Sequence, residues 1–270
     1  VLSDALRDDT AAQYMGYLQH LVETRQATRF TCVGELPSMS RPMYETIHTG
    51  VYSSVHGVTH NDVVRMSNMP NVFMLTRDAG KVTAASAYSW FSELYNRAPY
   101  DIVADREVDD PALAIQHGRF YREYPYPDIE VIAAGGALVM KFQPDYLLIH
   151  PMMGDYFGEK YGGLSAEYRH TVIVQDQALA AMIPLVRALG YDVVVTGDHG
   201  MDDQAGTTHG GALPQHRLVP FYHMPANGEG RGDTGERISQ LQIAPTLCAM
   251  LGIEAAPAMR ATPITLTRPS

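Results

Sequence analysis

The sequence is short of several features that would assign it a class directly. It has two cysteines, Cys32 and Cys248, far apart and without the close spacing of a thiolate metal site. That leaves no disulfide framework and suits two small buried apolar side chains. No apolar run reaches the roughly 18 residues that a membrane-crossing helix requires. Positive charge is the scarcer sign: 20 Lys and Arg against 30 Asp and Glu give a formal charge of -10. A surface of that sign argues against a nucleic-acid polymer as partner, because phosphate backbones recruit basic faces. Small phosphate esters stay open as substrates, since bound cations invert the local field. There is neither an internal repeat nor a long low-complexity tract. The first residue is Val1, within an expected strand, so a leader is not readable and the compartment stays open.

An apolar fraction of 46% in 270 residues is ample for one large core, with room for a small insertion. The most informative stretch is Tyr191-Asp-Val-Val-Val-Thr-Gly-Asp-His-Gly-Met201. Its β-branched run reads as a buried parallel strand, which breaks at Gly197 and presents Asp198 and His199 side by side. Ligand sites in open α/β sheets lie beyond the carboxyl ends of strands. A carboxylate and an imidazole delivered there form half of a metal site, with Gly200 leaving the backbone free to turn.

Further strands are expected at the chain start, at Thr28 to Val33, Asp145 to His150 and Val219 to Met224, with another at Asn71 to Ala79. Helices are expected from Asp8 to Arg25, after Ser40 to about His48, from Ile129 to Met140, from Ser165 to Leu189 and from Ile238 to Leu251. Residues 81 to 91 read as helix into strand. The alternation predicts an α/β fold, a doubly wound, mostly parallel sheet with helices on both faces. It forms a single catalytic domain over residues 1–270, in which the Pro-, Tyr- and Asp-rich residues 97–130 are an irregular insertion or lid.

Polar residues gather where these strands end. Asp4 follows the first strand. His150 to Gly163 follows the Leu147-Leu-Ile149 strand and carries Asp155 and Glu159, and His209 precedes Gly210-Gly211. With Asp198 and His199, that makes six candidate ligands in loops or glycine turns, and a hydroxyl, Ser40, sits in another such loop. Singly, each suits an ordinary turn. The joint pattern does not.

These residues carry a resemblance. Val1-Leu-Ser-Asp4, Pro37-Ser-Met-Ser40-Arg-Pro42 followed by His56-Gly57 and Asn61, Asp198-His199-Gly-Met201, His209-Gly-Gly211 and Gln242-Ile-Ala-Pro-Thr246 together resemble the alkaline phosphatase superfamily, in its nucleotide pyrophosphatase/phosphodiesterase branch. The resemblance implies Ser40 as nucleophile through a phosphoseryl intermediate, with Asn61 on a phosphoryl oxygen. It implies two divalent ions, zinc with manganese as the alternative. One would be held by Asp4, Asp198 and His199 and would touch Ser40, and the other by Asp155, Glu159 and His209. The implied substrate is a small phosphate ester, a phosphodiester or pyrophosphate.

The sequence also departs from the family's pattern. Glu159 stands where the family's Asp-x-x-Gly-His motif has His, which places a hard oxygen in that set. His150 is near enough in sequence to substitute, or to pack at its strand end. Arg41 is open to a substrate contact or a surface salt bridge, and Tyr121, Tyr124 and Tyr126 to stacking on a substrate ring or to packing. The Ser40-Arg-Pro-Met-Tyr44 sequence lacks the terminal Arg of a sulfatase nucleophile motif. A phosphomonoesterase or phosphonate hydrolase of the same superfamily is the alternative activity, and an inactive metal- or phosphate-binding module the alternative of another class.

Overall fold

The β-branched and aromatic runs pair into two sheets, described by a computed structural model over residues 1–206 and 209–267. The strands are β1 (Leu2–Ser3), β2 (Thr28–Val33), β3 (Thr83–Tyr88), β4 (Glu107–Asp109), β5 (His117–Tyr121), β6 (Tyr146–Ile149), β7 (Val193–Gly197), β8 (Leu218–Met224) and β9 (Gly232–Ser239). One sheet has the order β1-β7-β8-β2-β9 and the other β4-β5-β3-β6. The Asp4 N–H donates to the Pro151 carbonyl at 3.0 Å and links the β1 edge of the first sheet to the end of β6 in the second. The β1–β7, β2–β9, β3–β5 and β3–β6 pairings are parallel. Those of β8 with β2 and β7, and of β4 with β5, are antiparallel. The expected mostly parallel sheet is therefore interrupted by β8, which runs against both of its neighbours.

Side chains alternate across a strand, so successive residues serve different cores. Phe221 joins one apolar cluster with Phe30, Phe73, Phe91 and Phe120, while Tyr222 joins a second with Leu18, Leu179, Ile183 and Val195. Leu148 and Ile149 of β6 divide in the same way. Helices cover both faces.

Several elements differ from expectation for identifiable reasons. The Asp8-to-Arg25 helix is two, Asp8–Tyr14 and Gly16–Glu23, broken at Met15. The Asp176 carboxylate accepts from the Tyr17 and Leu18 N–H groups at 2.7 and 3.1 Å and starts the second helix. Residues 71–79 form a helix, Val72–Asp78, rather than a strand, because the Asn71 side chain accepts from the Met74 N–H and caps it. Residues 81–91 run in the reverse order, strand β3 and then helix Trp90–Tyr95. The stretch 97–130, expected to be irregular, contributes β4 and β5, with β5 pairing along β3 from Ala84↔His117 to Tyr88↔Tyr121. Ile238 belongs to β9, and a Ser239/Gln242 capping box delays the last helix to Ile243–Leu251.

Candidate active site

Strand register builds the first half of the site. Ser3 pairs with Gly197, so the next residues on each strand, Asp4 and Asp198, leave the sheet together. Ala5 then turns with φ of 59°, a left-handed conformation that costs a non-glycine residue about 1 kcal/mol. The buried Tyr168 hydroxyl holds this turn, donating to the Ala5 carbonyl at 2.6 Å and accepting from the Arg7 N–H at 3.1 Å. Beyond His199 the backbone passes so close to the Gln215 carbonyl that any Cβ at Gly200 would collide with it. Ser40 is the first residue of helix Ser40–Thr49, which ends at Gly50 in the left-handed conformation. Asp155 and Glu159 lie one turn apart on helix Met153–Tyr161, where the sequence suggested a loop.

These elements bring most of the expected residues together. Candidate ligand atoms of Asp4, Asp198 and His199 lie within 4.8 Å of one another, and so do those of Asp155, His199 and His209. Ser40 Oγ is 3.0 Å from His199 Nε2, and the rings of His199 and His209 stack at 3.7 Å. One residue stands aside. Glu159 belongs to neither group; its Oε1 is 3.9 Å from His209 Nε2 and its side chain is 38% exposed. Asn61 Oδ1 accepts from the Arg41 N–H at 3.0 Å, so both lie next to Ser40 and are bonded to each other.

The donor set fits divalent ions. Each of three carboxylates has one oxygen tied down by the protein and one buried without a hydrogen-bond partner among the described residues. Asp4 Oδ2 accepts from the Tyr44 hydroxyl and faces His150 Nε2 at 3.1 Å; Asp198 Oδ1 accepts from the Ala5 and His199 N–H groups; Asp155 Oδ2 accepts from the Tyr124 hydroxyl. The unpartnered atoms are Asp4 Oδ1, Asp198 Oδ2 and Asp155 Oδ1. His199 Nδ1 lies 2.7 Å from the Gly200 carbonyl and His209 Nδ1 2.8 Å from that of Ser38. A carbonyl only accepts, so Nδ1 carries hydrogen in each ring and Nε2 is the atom that faces the carboxylates.

Orphaned buried oxygens of this kind are costly without a cation. Burial, then Asp198 and Asp155, push the Asp4 carboxyl up to about 8, and burial carries Asp198 well above the ordinary range. Burial and then His209 lower His199 to about 3. A divalent ion would ionise these acids and leave the imidazole neutral, as ligation requires.

Other contacts were not readable from the sequence. Tyr44 and His150 both act on Asp4 from the apolar sides of their own elements; His150 is fully buried at the end of β6 rather than taking the place of Glu159. Arg41 forms a salt bridge, but an interior one rather than on the surface. It is buried, paired with Glu93 at 2.7 Å, with its guanidinium 4.3 Å from the Trp90 ring centre. Tyr126 stacks on buried Tyr121, and only Tyr124 of the three tyrosines hydrogen-bonds a candidate ligand. The proline-flanked aromatic run 124–127 was the available signal for this.

Comparison with known proteins gives a family and a fold. A family model described as type I phosphodiesterase / nucleotide pyrophosphatase matches residues 1–228. A murine ectonucleotide pyrophosphatase / phosphodiesterase 5, in an inactive form in complex with AMP, superposes with a TM-score of 0.73 at 12% identity, over 95% of this chain and 96% of that one. Wild-type alkaline phosphatase PafA superposes with a TM-score of 0.70 at 11% identity, over 98% and 97% of the two chains. At such identities the likeness is one of fold. A 2,3-bisphosphoglycerate-independent phosphoglycerate mutase of Parabacteroides distasonis is 26% identical over 112 residues, which are 41% of this chain and 21% of the mutase. The chain thus matches about a fifth of that relative's length.

Proposed function

The chain belongs to the type I phosphodiesterase / nucleotide pyrophosphatase family, and we propose that it cleaves phosphodiester or pyrophosphate bonds of small esters, nucleotide esters among them, through a phosphoseryl intermediate on Ser40. The observation that carries this reading is the placement of Ser40. Its Oγ lies at the first turn of a ten-residue helix and 3.0 Å from His199 Nε2, which is itself 3.4 and 3.3 Å from the unpartnered Asp4 Oδ1 and Asp198 Oδ2.

Asp4, Asp198 and His199 with Ser40 would hold one divalent ion, and Asp155 and His209 with Glu159 beside them the second, zinc or manganese in either place. Such ions supply a lowered hydroxyl pKa and charge neutralisation on the phosphoryl and leaving oxygens. The chain's own groups do the rest. Ser40 Oγ bonds to phosphorus as the ester or anhydride bond to the leaving group breaks, and water then cleaves the phosphoseryl ester, freeing phosphate product and Ser40. Ser40 also stands at the positive end of the Ser40–Thr49 helix dipole, which favours an anion there. Asn61, held on the Arg41 N–H, offers a neutral amide to a phosphoryl oxygen. A neutral contact suits the single charge of a diester better than the double charge of a monoester. The position of Glu159 outside both groups favours one rival, a binding module with an incomplete second site.

The deciding assay is hydrolysis of bis-p-nitrophenyl phosphate against p-nitrophenyl phosphate by metal-stripped protein refilled with zinc or manganese. Faster, metal-dependent diester cleavage is expected. Faster monoester cleavage would shift the protein to phosphatase activity, and two bound ions without turnover on either ester would favour phosphonates or the binding module.

A further inference from the structure

We infer that Tyr124 is a positioning residue for the second ligand group, its hydroxyl fixing Asp155 so that Oδ1 faces an incoming ion; this rests on the two-ion reading above. Tyr124 lies across helix Met153–Tyr161 and touches three of its residues. The hydroxyl is 2.9 Å from Asp155 Oδ2 and 3.3 Å from Glu159 Oε2, and the ring meets that of Tyr156 edge-on at 5.1 Å. Two residues on, Tyr126 stacks on buried Tyr121 at 4.9 Å and ties this strap to the end of β5.

A phenol has one proton to donate. The shorter contact gives it to Asp155 Oδ2, which leaves Oδ1 as the atom directed toward His209 Nε2, 3.4 Å away. Glu159 then receives only the longer contact and remains outside the group.

The two ligand groups are therefore secured differently. In the first, Asp4 and Asp198 are held by buried partners: Tyr44, His150 and the N–H groups of Ala5 and His199. In the second, the donor to Asp155 comes from a side chain 40% exposed, on a segment between β5 and the next helix. Loss of an outer partner of a metal ligand typically weakens ion affinity 10–100-fold. Removing the Tyr124 hydroxyl will act on the second ion and spare the first.

The test is calorimetric titration of zinc, with chelator competition for the tight phase, into metal-stripped wild-type protein and Tyr124→Phe. The wild type is expected to take up two ions. Tyr124→Phe is expected to bind the second about 10–100-fold more weakly, the first unchanged, with the metal-free melting temperature unaltered. Equal weakening of both ions would mean general damage and would overturn the inference, as would two ions bound with wild-type affinities. A wild type that binds one ion has no second group to position, which also overturns it. A wild type that binds none refutes the two-ion reading itself, a result distinct from the variant matching a two-ion wild type.

Discussion

Replacing Tyr168 with Phe tests how the site's first carboxylate is aimed. The ring is fully buried, and Phe keeps its packing in the cluster around Leu179 and Val195, so the apolar contribution cancels. What is lost is one oxygen that serves two buried backbone groups, the Ala5 carbonyl at 2.6 Å and the Arg7 N–H at 3.1 Å. A buried group left unsatisfied costs about 1–3 kcal/mol. Two such groups, partly relieved by movement of the turn, put the loss at roughly 2–4 kcal/mol, a large share of the ~5–15 kcal/mol that keeps a domain folded. At about 2–4 °C per kcal/mol for a chain of this size, the metal-free melting temperature should fall by roughly 5–15 °C. The turn also carries the left-handed Ala5, whose N–H holds Asp198, so zinc affinity of the first group should fall in parallel. Thermal melts with and without zinc, combined with zinc titration, read both effects. A melting temperature within about 1 °C of wild type, at unchanged zinc affinity, would refute the claim that this hydroxyl holds the Asp4 turn.

Three other outcomes are expected. Ser40→Ala should abolish diester turnover, a loss of at least about 10³-fold, while both ions stay bound; retained turnover in that variant would remove Ser40 as nucleophile. Asp198→Asn should lower ion affinity and rate together, and an unchanged ion stoichiometry by elemental analysis would count against the first ligand group. The third concerns pH. Burial, followed by Asp198 and Asp155, raises the Asp4 carboxyl from its ordinary value near 4 to about 8, so between these values the folded metal-free protein holds protons that the unfolded chain has released. Stability contributed by the raised acid is complete below about pH 4 and is lost as pH rises toward about 8. Buried His199, lowered to about 3, contributes in the opposite sense up to the ordinary imidazole value near 6.5, so the melting temperature of the stripped protein should fall between about pH 6.5 and 8 and that of the zinc-loaded protein should not, with zinc uptake at pH 7 releasing protons measurable in buffers of different ionisation enthalpy. Parallel pH profiles with and without zinc would contradict this.

The parts of the site visible in the sequence were those carried by local signals. A valine run ending at Gly197 announces a strand end, and Asp198 and His199 follow it directly, so position in sequence and position in space coincide. The same holds for Asp4 after β1. Asp155 and Glu159 were recognisable as a pair, but their helix was not, because glycines at 154 and 158 read as turn residues. Gly158 instead makes room for Met201, whose Cγ lies 2.7 Å from where a Cβ would be. The roles of Tyr44 and His150 were hidden for a different reason: each meets Asp4 only once the Ser40–Thr49 helix and the end of β6 pack against the end of β1. The buried pairing of Arg41 with Glu93 likewise joins residues 52 positions apart, beyond the reach of any local pattern.

The two halves of the site differ in how many independent elements must agree. Asp4, Asp198 and His199 come from adjacent parallel strands whose register aligns them, so moving one candidate ligand means shifting a ladder that is buried on both sides. Asp155 and His209 come from a helix and from a glycine-flanked loop bridged to Ser38 through Gly210, and their separation depends on side-chain contacts such as Tyr124. A change of ligand type is easier to absorb in the second arrangement, because a helix side chain or a loop can move by an ångström without breaking a sheet. Glu159 lies in that half with its side chain 38% exposed, and burial followed by Asp155 raises its carboxyl without closing it off from solvent. The same carboxylate in place of His199, with no solvent access, would add another charge beside Asp4 and Asp198, whose carboxyls burial already holds well above their ordinary values.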